Sequence, residues 1–76
     1  MMTEDEWADE VKRILRAEMA RRGVTYDQLS EKLDAIGVRD TAVNLRNKVA
    51  RGKFTAAFFL QSLSAMDVDT ISIKRL

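Results

Sequence analysis

Apolar residues recur along this chain at steps of three and four, the spacing that gathers them on one side of an α-helix. Trp7, Val11, Ile14, Leu15 and Met19 form the first such stripe and predict a helix over about residues 4–22. Tyr26, Leu29, Leu33 and Ile36 form a second, over about 26–36. In a third, over about 41–51, counting 100° per residue puts Ala42, Val43, Leu45, Val49 and Ala50 on one broad face. Asp40, Thr41, Asn44, Asn47, Lys48 and Arg51 fall on the other. Arg46 lies within the apolar sector and is expected at the margin of the core, snorkelling or paired with Glu18 or Asp34. The fourth segment, about 56–66, carries Phe58, Phe59, Leu60, Leu63 and Met66. It is too apolar to face solvent, so much of it is expected in the core or against a partner.

Polar punctuation agrees with these boundaries. Thr3 with Glu6, and Thr25 with Gln28, have the spacing of a capping box, in which each residue satisfies the other's free backbone N–H. Gly23-Val24 and Gly37-Val38 supply a left-handed stop followed by an apolar residue that folds back on the last turn. Asp40 is the expected N-cap of the third helix, Gly52 its stop, and Thr55 the cap of the fourth. After Met66 the pattern changes. Val68, Thr70, Ile71 and Ile73 are β-branched and roughly alternating, so residues 68–76 read as a short strand. A lone strand has no ladder partner. It either lies extended along the helices or pairs with its counterpart in a second molecule, making a two-stranded ribbon and a symmetric dimer through Val68, Ile71 and Ile73. The expected architecture is all-α: one domain of four helices over residues 1–76, ending in a short strand or extended tail.

Composition narrows the chemistry. The chain has 76 residues, with no Cys and no His, which excludes disulfides, Cys/His zinc sites, thiol nucleophiles and imidazole catalysis. Carboxylate pairs such as Asp5 with Asp9, or Glu31 with Asp34, lie on solvated-looking helix faces with no Gly-rich phosphate loop, so neither an enzyme nor a cofactor or metal site is expected. No apolar run approaches the roughly 20 residues of a membrane span. With no signal peptide pattern either, the expected location is the cytoplasm.

Charge is distributed unevenly. The formal net charge is +1, yet residues 1–10 carry five acids and no cation, whereas the remainder holds all 13 cations. The acids suit the positive end of the first helix and are expected to point away from any nucleic acid. Between residues 39 and 53, Arg39, Arg46, Lys48, Arg51 and Lys53 face only Asp40. In that stretch Asn44 and Asn47 have the paired donors and acceptors that match adenine edges, and Lys48 and Arg51 suit guanine or phosphate. Thr41 shares their face, while Arg39 and Lys53 flank it as expected backbone contacts. An isolated helix with these residues would read as an ordinary solvated face, and its setting decides otherwise. Phe54, Phe58 and Phe59 are expected in the core, and Trp7 in the core or a dimer interface.

That setting carries a resemblance. The run Arg-Gly-Val-Thr-Tyr-Asp-Gln-Leu-Ser-Glu-Lys-Leu, residues 22–33, is similar to the Gly-x-[ST]-x-x-x-Leu-[AS]-x-x-[LV] segment of the Cro/C1-type (XRE-like) helix-turn-helix family. Ser30 takes the small position and Gly37-Val38 the turn. Val43 takes the buried site of the recognition helix, and Arg51-Gly52-Lys53 the cation-Gly-Lys after it. Three more residues than usual separate Ser30 from Gly37, which implies longer second and third helices, and Arg46 stands where the family has an apolar residue. More narrowly, Asn47-Lys48-Val49-x-Arg51-Gly52-Lys53-Phe54 resembles a family of short bacterial and phage proteins of unknown function. The broad resemblance implies a DNA-binding transcriptional regulator that reads double-stranded DNA with its third helix as a homodimer, with Thr25, Tyr26 and Gln28 near phosphates. The alternative is a protein-interaction adaptor using the Phe-rich helix and the tail.

Overall fold

The computed structural model describes residues 1–73, which form four helices and no strand. They are α1 (Glu4–Arg22), α2 (Tyr26–Ala35), α3 (Ala42–Arg51) and α4 (Ala56–Ala65). Each begins at a threonine. Thr3 and Glu6 exchange hydrogen bonds at 2.9 and 3.2 Å, as do Thr25 and Gln28 at 2.9 and 3.1 Å. The Thr55 hydroxyl accepts from the Phe58 amide at 3.0 Å. At α3 the N-cap is Thr41, not the expected Asp40: its hydroxyl accepts from the Asn44 amide at 3.1 Å. Asp40 cannot do this, because its carboxylate turns toward Lys48.

Three of the helices end alike. Val24 donates to the Met19 carbonyl, Val38 to that of Leu33 and Val68 to that of Leu63, each at 2.9 Å. In all three the apolar residue after the stop folds back, as a Schellman ending requires. The third such stop carries Asp67 at φ 58° where the first two carry glycine. Aspartate tolerates that region better than most residues, so the sequence pattern hides this turn.

The core lies where α1 and α2 each pack across both α3 and α4. Leu15, Leu29, Leu33, Leu45 and Val49 are fully buried there, joined by Met19, Phe58, Leu63 and Met66. Phe54 meets Phe58 edge-on at 5.1 Å between ring centres, so this cluster packs as expected. Trp7 is not core: it is 50% exposed. Ile36 lies past the last residue of α2 and is also exposed. Arg46 does not reach Glu18, which Arg21 and Arg22 already hold at 2.7 and 3.7 Å. Nor does it pair with Asp34, whose partner is Arg39.

Residues 68–73 form neither helix nor strand, and Val68 and Ile71 rest against the chain's own core. Ile73 is exposed, and residues 74–76 of the expected strand lie outside the described residues. Among the described residues, no helix is long and apolar enough to cross a membrane.

Gly52 joins α3 to α1. It has φ 68°, and a Cβ there would stand 2.9 Å from the Ala8 carbonyl oxygen, closer than real Cβ contacts come. Gly23 has a similar φ of 65° but open space around it. Gly23→Ala is therefore expected to cost about 1–2 kcal/mol from backbone conformation alone. Gly52→Ala is expected to cost clearly more, because α1 must also shift. Urea unfolding of the two variants measures the difference, and equal losses would show that α1 and α3 do not meet this closely.

Candidate nucleic-acid interface

Two anchors fix α3. At its N-terminal end the Ser30 hydroxyl of α2 donates to the Asp40 carbonyl at 2.6 Å, while the Asp40 carboxylate accepts from Lys48 Nζ at 2.6 Å and from the Thr41 amide at 3.0 Å. Lys48 Nζ also lies 4.7 Å from the centre of the Phe58 ring, a cation–π distance that connects the pair to α4. At the C-terminal end Gly52 abuts Ala8, and Lys12 Nζ donates to the Ala50 carbonyl at 3.1 Å. That bond satisfies one of the carbonyls a helix end leaves free.

The Asp40 side chain is only 10% exposed. Burial by itself would push its carboxyl up. The hydrogen bond and charge of Lys48, with hydrogen bonds from Asn44 and the Thr41 amide, outweigh that and hold it below the ordinary carboxylate range.

The outward face of α3 differs from the one expected. Only Leu45 and Val49 are buried, with Ala42 and Lys48 half-buried beside them. Val43 is 61% exposed and Ala50 is exposed too, so neither belongs to the packed face. The reason lies in the width of the buried sector. α3 touches α1 and α2 along a narrow strip, and Val43, Arg46 and Ala50 fall together on its far side. Arg46 was the available signal, since a cation between two apolar positions marks where solvent begins. Its guanidinium sits 5.4 Å from the Tyr26 ring centre, which brings the start of α2 alongside this face.

The ten expected contact residues separate by what already holds them. Thr25, Gln28 and Thr41 are engaged as caps, and Asn44 and Lys48 serve Asp40. Tyr26 is half-buried under Arg46. Arg39 pairs with Asp34 at 3.6 Å and Lys53 with Asp5 at 3.1 Å, both between exposed groups, where an ion pair contributes little. Asn47 and Arg51 are exposed, with no side-chain partner among the described residues. The acidic start of α1 does not point away from this region. Asp5 reaches Lys53, because the first turns of α1 cross the C-terminal end of α3.

Residues 7–71 match a domain of unknown function, DUF6471, and the chain belongs to that family. No curated protein and no solved structure matches it.

Because Asp40 titrates lower when folded than its unfolded value of about 3.9, its contribution is present above that value and is lost as pH falls through the lowered one. Asp40→Asn is expected to cost about 1–3 kcal/mol at pH 7, the worth of a hydrogen bond to a charged group. The gap to wild type should close as pH drops below about 4. Denaturant titrations at pH 7 and pH 2.5 check this, and a gap that ignores pH would deny the carboxylate that role.

Proposed function

We propose that this member of the DUF6471 family is a sequence-specific DNA-binding transcriptional regulator with a Cro/C1-type helix-turn-helix. In this reading α2 lies across the backbone and α3 enters the major groove. The observation that carries it is the state of α3: held at both ends, it leaves Val43, Asn47, Ala50 and Arg51 outward, with Arg46 at the flank. An amide, two cations and small apolar groups are the chemistry that base edges and phosphates require. A helix fixed before binding also loses less freedom on docking.

Within this reading Arg39 and Lys53 serve phosphates. Their surface ion pairs are weak enough to exchange for a phosphate. Lys48 has a different role from the one its sequence position suggests, since it orients the helix that carries the contacts. Thr25 and Gln28 support the same docking by building the start of α2, whose N-terminal amides can approach a phosphate. A homodimer would set two copies of α3 about 34 Å apart on successive major grooves. Leu60, 64% exposed, borders the tail residues Val68 and Ile71, and with Ile73 it is the surface available for that pairing. The same exposed Leu60, with Trp7, favours the second reading, a protein-interaction adaptor that uses α4 and the tail.

Fluorescence anisotropy with a mixed-sequence duplex separates the two. With Arg39, Arg46, Arg51 and Lys53 of each chain on phosphates, affinity is expected to fall roughly 100-fold per bound chain between 50 and 200 mM salt. Asn47→Ala combined with Arg51→Ala should weaken binding further at constant helicity. Lack of binding at 50 mM salt would overturn the proposal.

A further inference from the structure

Val43 is an exposed β-branched residue on a helix that buries its other valine completely. It sits four residues before Asn47, which sits four before Arg51, so the three make one stripe down the centre of the outward face with Ala50 beside it. Neither core packing nor a cap accounts for Val43. Arg51 closes the stripe at its C-terminal end, so its first turn, at Val43 and Asn47, holds no cation, and Arg46 lies to one side. Guanine is read most often by Arg or Lys, adenine by the two ends of an amide, and thymine by apolar contact with its methyl group. The first turn of this stripe therefore carries the adenine and thymine chemistry, with the cation one turn farther on.

We infer that Val43 and Asn47, the first two positions of this stripe on α3, select A·T base pairs, with Val43 against a thymine methyl and Asn47 bidentate to an adenine edge. This rests on the DNA-binding reading above and adds the class of sequence that site takes. Val43 and Asn47 are about 6 Å apart along the helix axis. Base pairs repeat every 3.4 Å or so, so both contacts fall within a window of about two or three base pairs. Ala50, beside the stripe, has a side chain short enough to let the helix backbone come close to the groove floor. Arg46 flanks the stripe, placed to hold a phosphate.

The experiment starts with selection of bound duplexes from a randomised pool by the full chain at low salt. The enriched site is then resynthesised with deoxyuridine replacing thymine, which removes only the methyl group. The expected result is an enriched A·T step at which the replacement weakens wild-type binding about fourfold, the worth of one buried methyl. Val43→Ala should bind both duplexes alike, and Asn47→Ala should lose the preference for adenine at the neighbouring position. Both substitutions lie on the exposed face and put the best helix former in place, so circular dichroism should be unchanged. Enrichment of G·C pairs in place of that step, or wild-type binding indifferent to the methyl, would overturn the A·T inference and leave DNA binding standing. Failure to enrich any duplex would overturn both.

Discussion

The contact between Lys48 and Asp40 is the constraint on which the presentation of α3 depends. A charged pair with one partner nearly buried stabilises only if its remaining hydrogen-bonding capacity is met. Here it is met from three directions: the Thr41 amide and Asn44 on the helix itself, and the Phe58 ring under the ammonium. The Asp40 backbone carbonyl adds Ser30 of α2. One residue in the turn thus couples α2, α3 and, through Lys48, α4. With the close approach of Gly52 to α1 at the other end, α3 is held at both ends, and which of its side chains point outward is decided by the fold. Removing one partner of such a pair leaves the other charge uncompensated, so Lys48 belongs with the supports of the proposed interface.

Much of the fold was legible because it is written in local chemistry. The threonine caps, the two Gly-Val stops and the three-and-four spacing each act within a few residues, and α1 begins and ends where they place it. What was not legible depends on contacts made across the chain. Asp40 looks like an N-cap until Lys48, eight residues on, draws its carboxylate away. Asp67 gives no sign that it will take the conformation Gly23 and Gly37 take. The outward face of α3 was misdrawn at Val43 and Ala50, because a helical wheel gives the direction of the apolar side but not its width. That width is set by how α1 and α2 cross the helix. The β-branched tail reads as a strand by composition, yet Val68 and Ile71 find apolar surface on their own chain.

The uneven charge acquires a meaning that sequence order concealed. The acids of residues 1–10 are far in sequence from the cations of 39–53, yet Asp5 and Lys53 meet at 3.1 Å. The acidic turn suits the start of α1 and also lowers the positive potential at one end of the proposed interface.

If this protein meets DNA through the outward face of α3, an NMR titration of the labelled chain with duplex DNA at low salt will show it residue by residue. The backbone amides of Val43, Ala50 and Arg51 and the side-chain amide of Asn47 should shift first and most, with Leu60 and Ile71 shifting less. Shifts confined to α4 and the tail, with α3 unmoved, would contradict it.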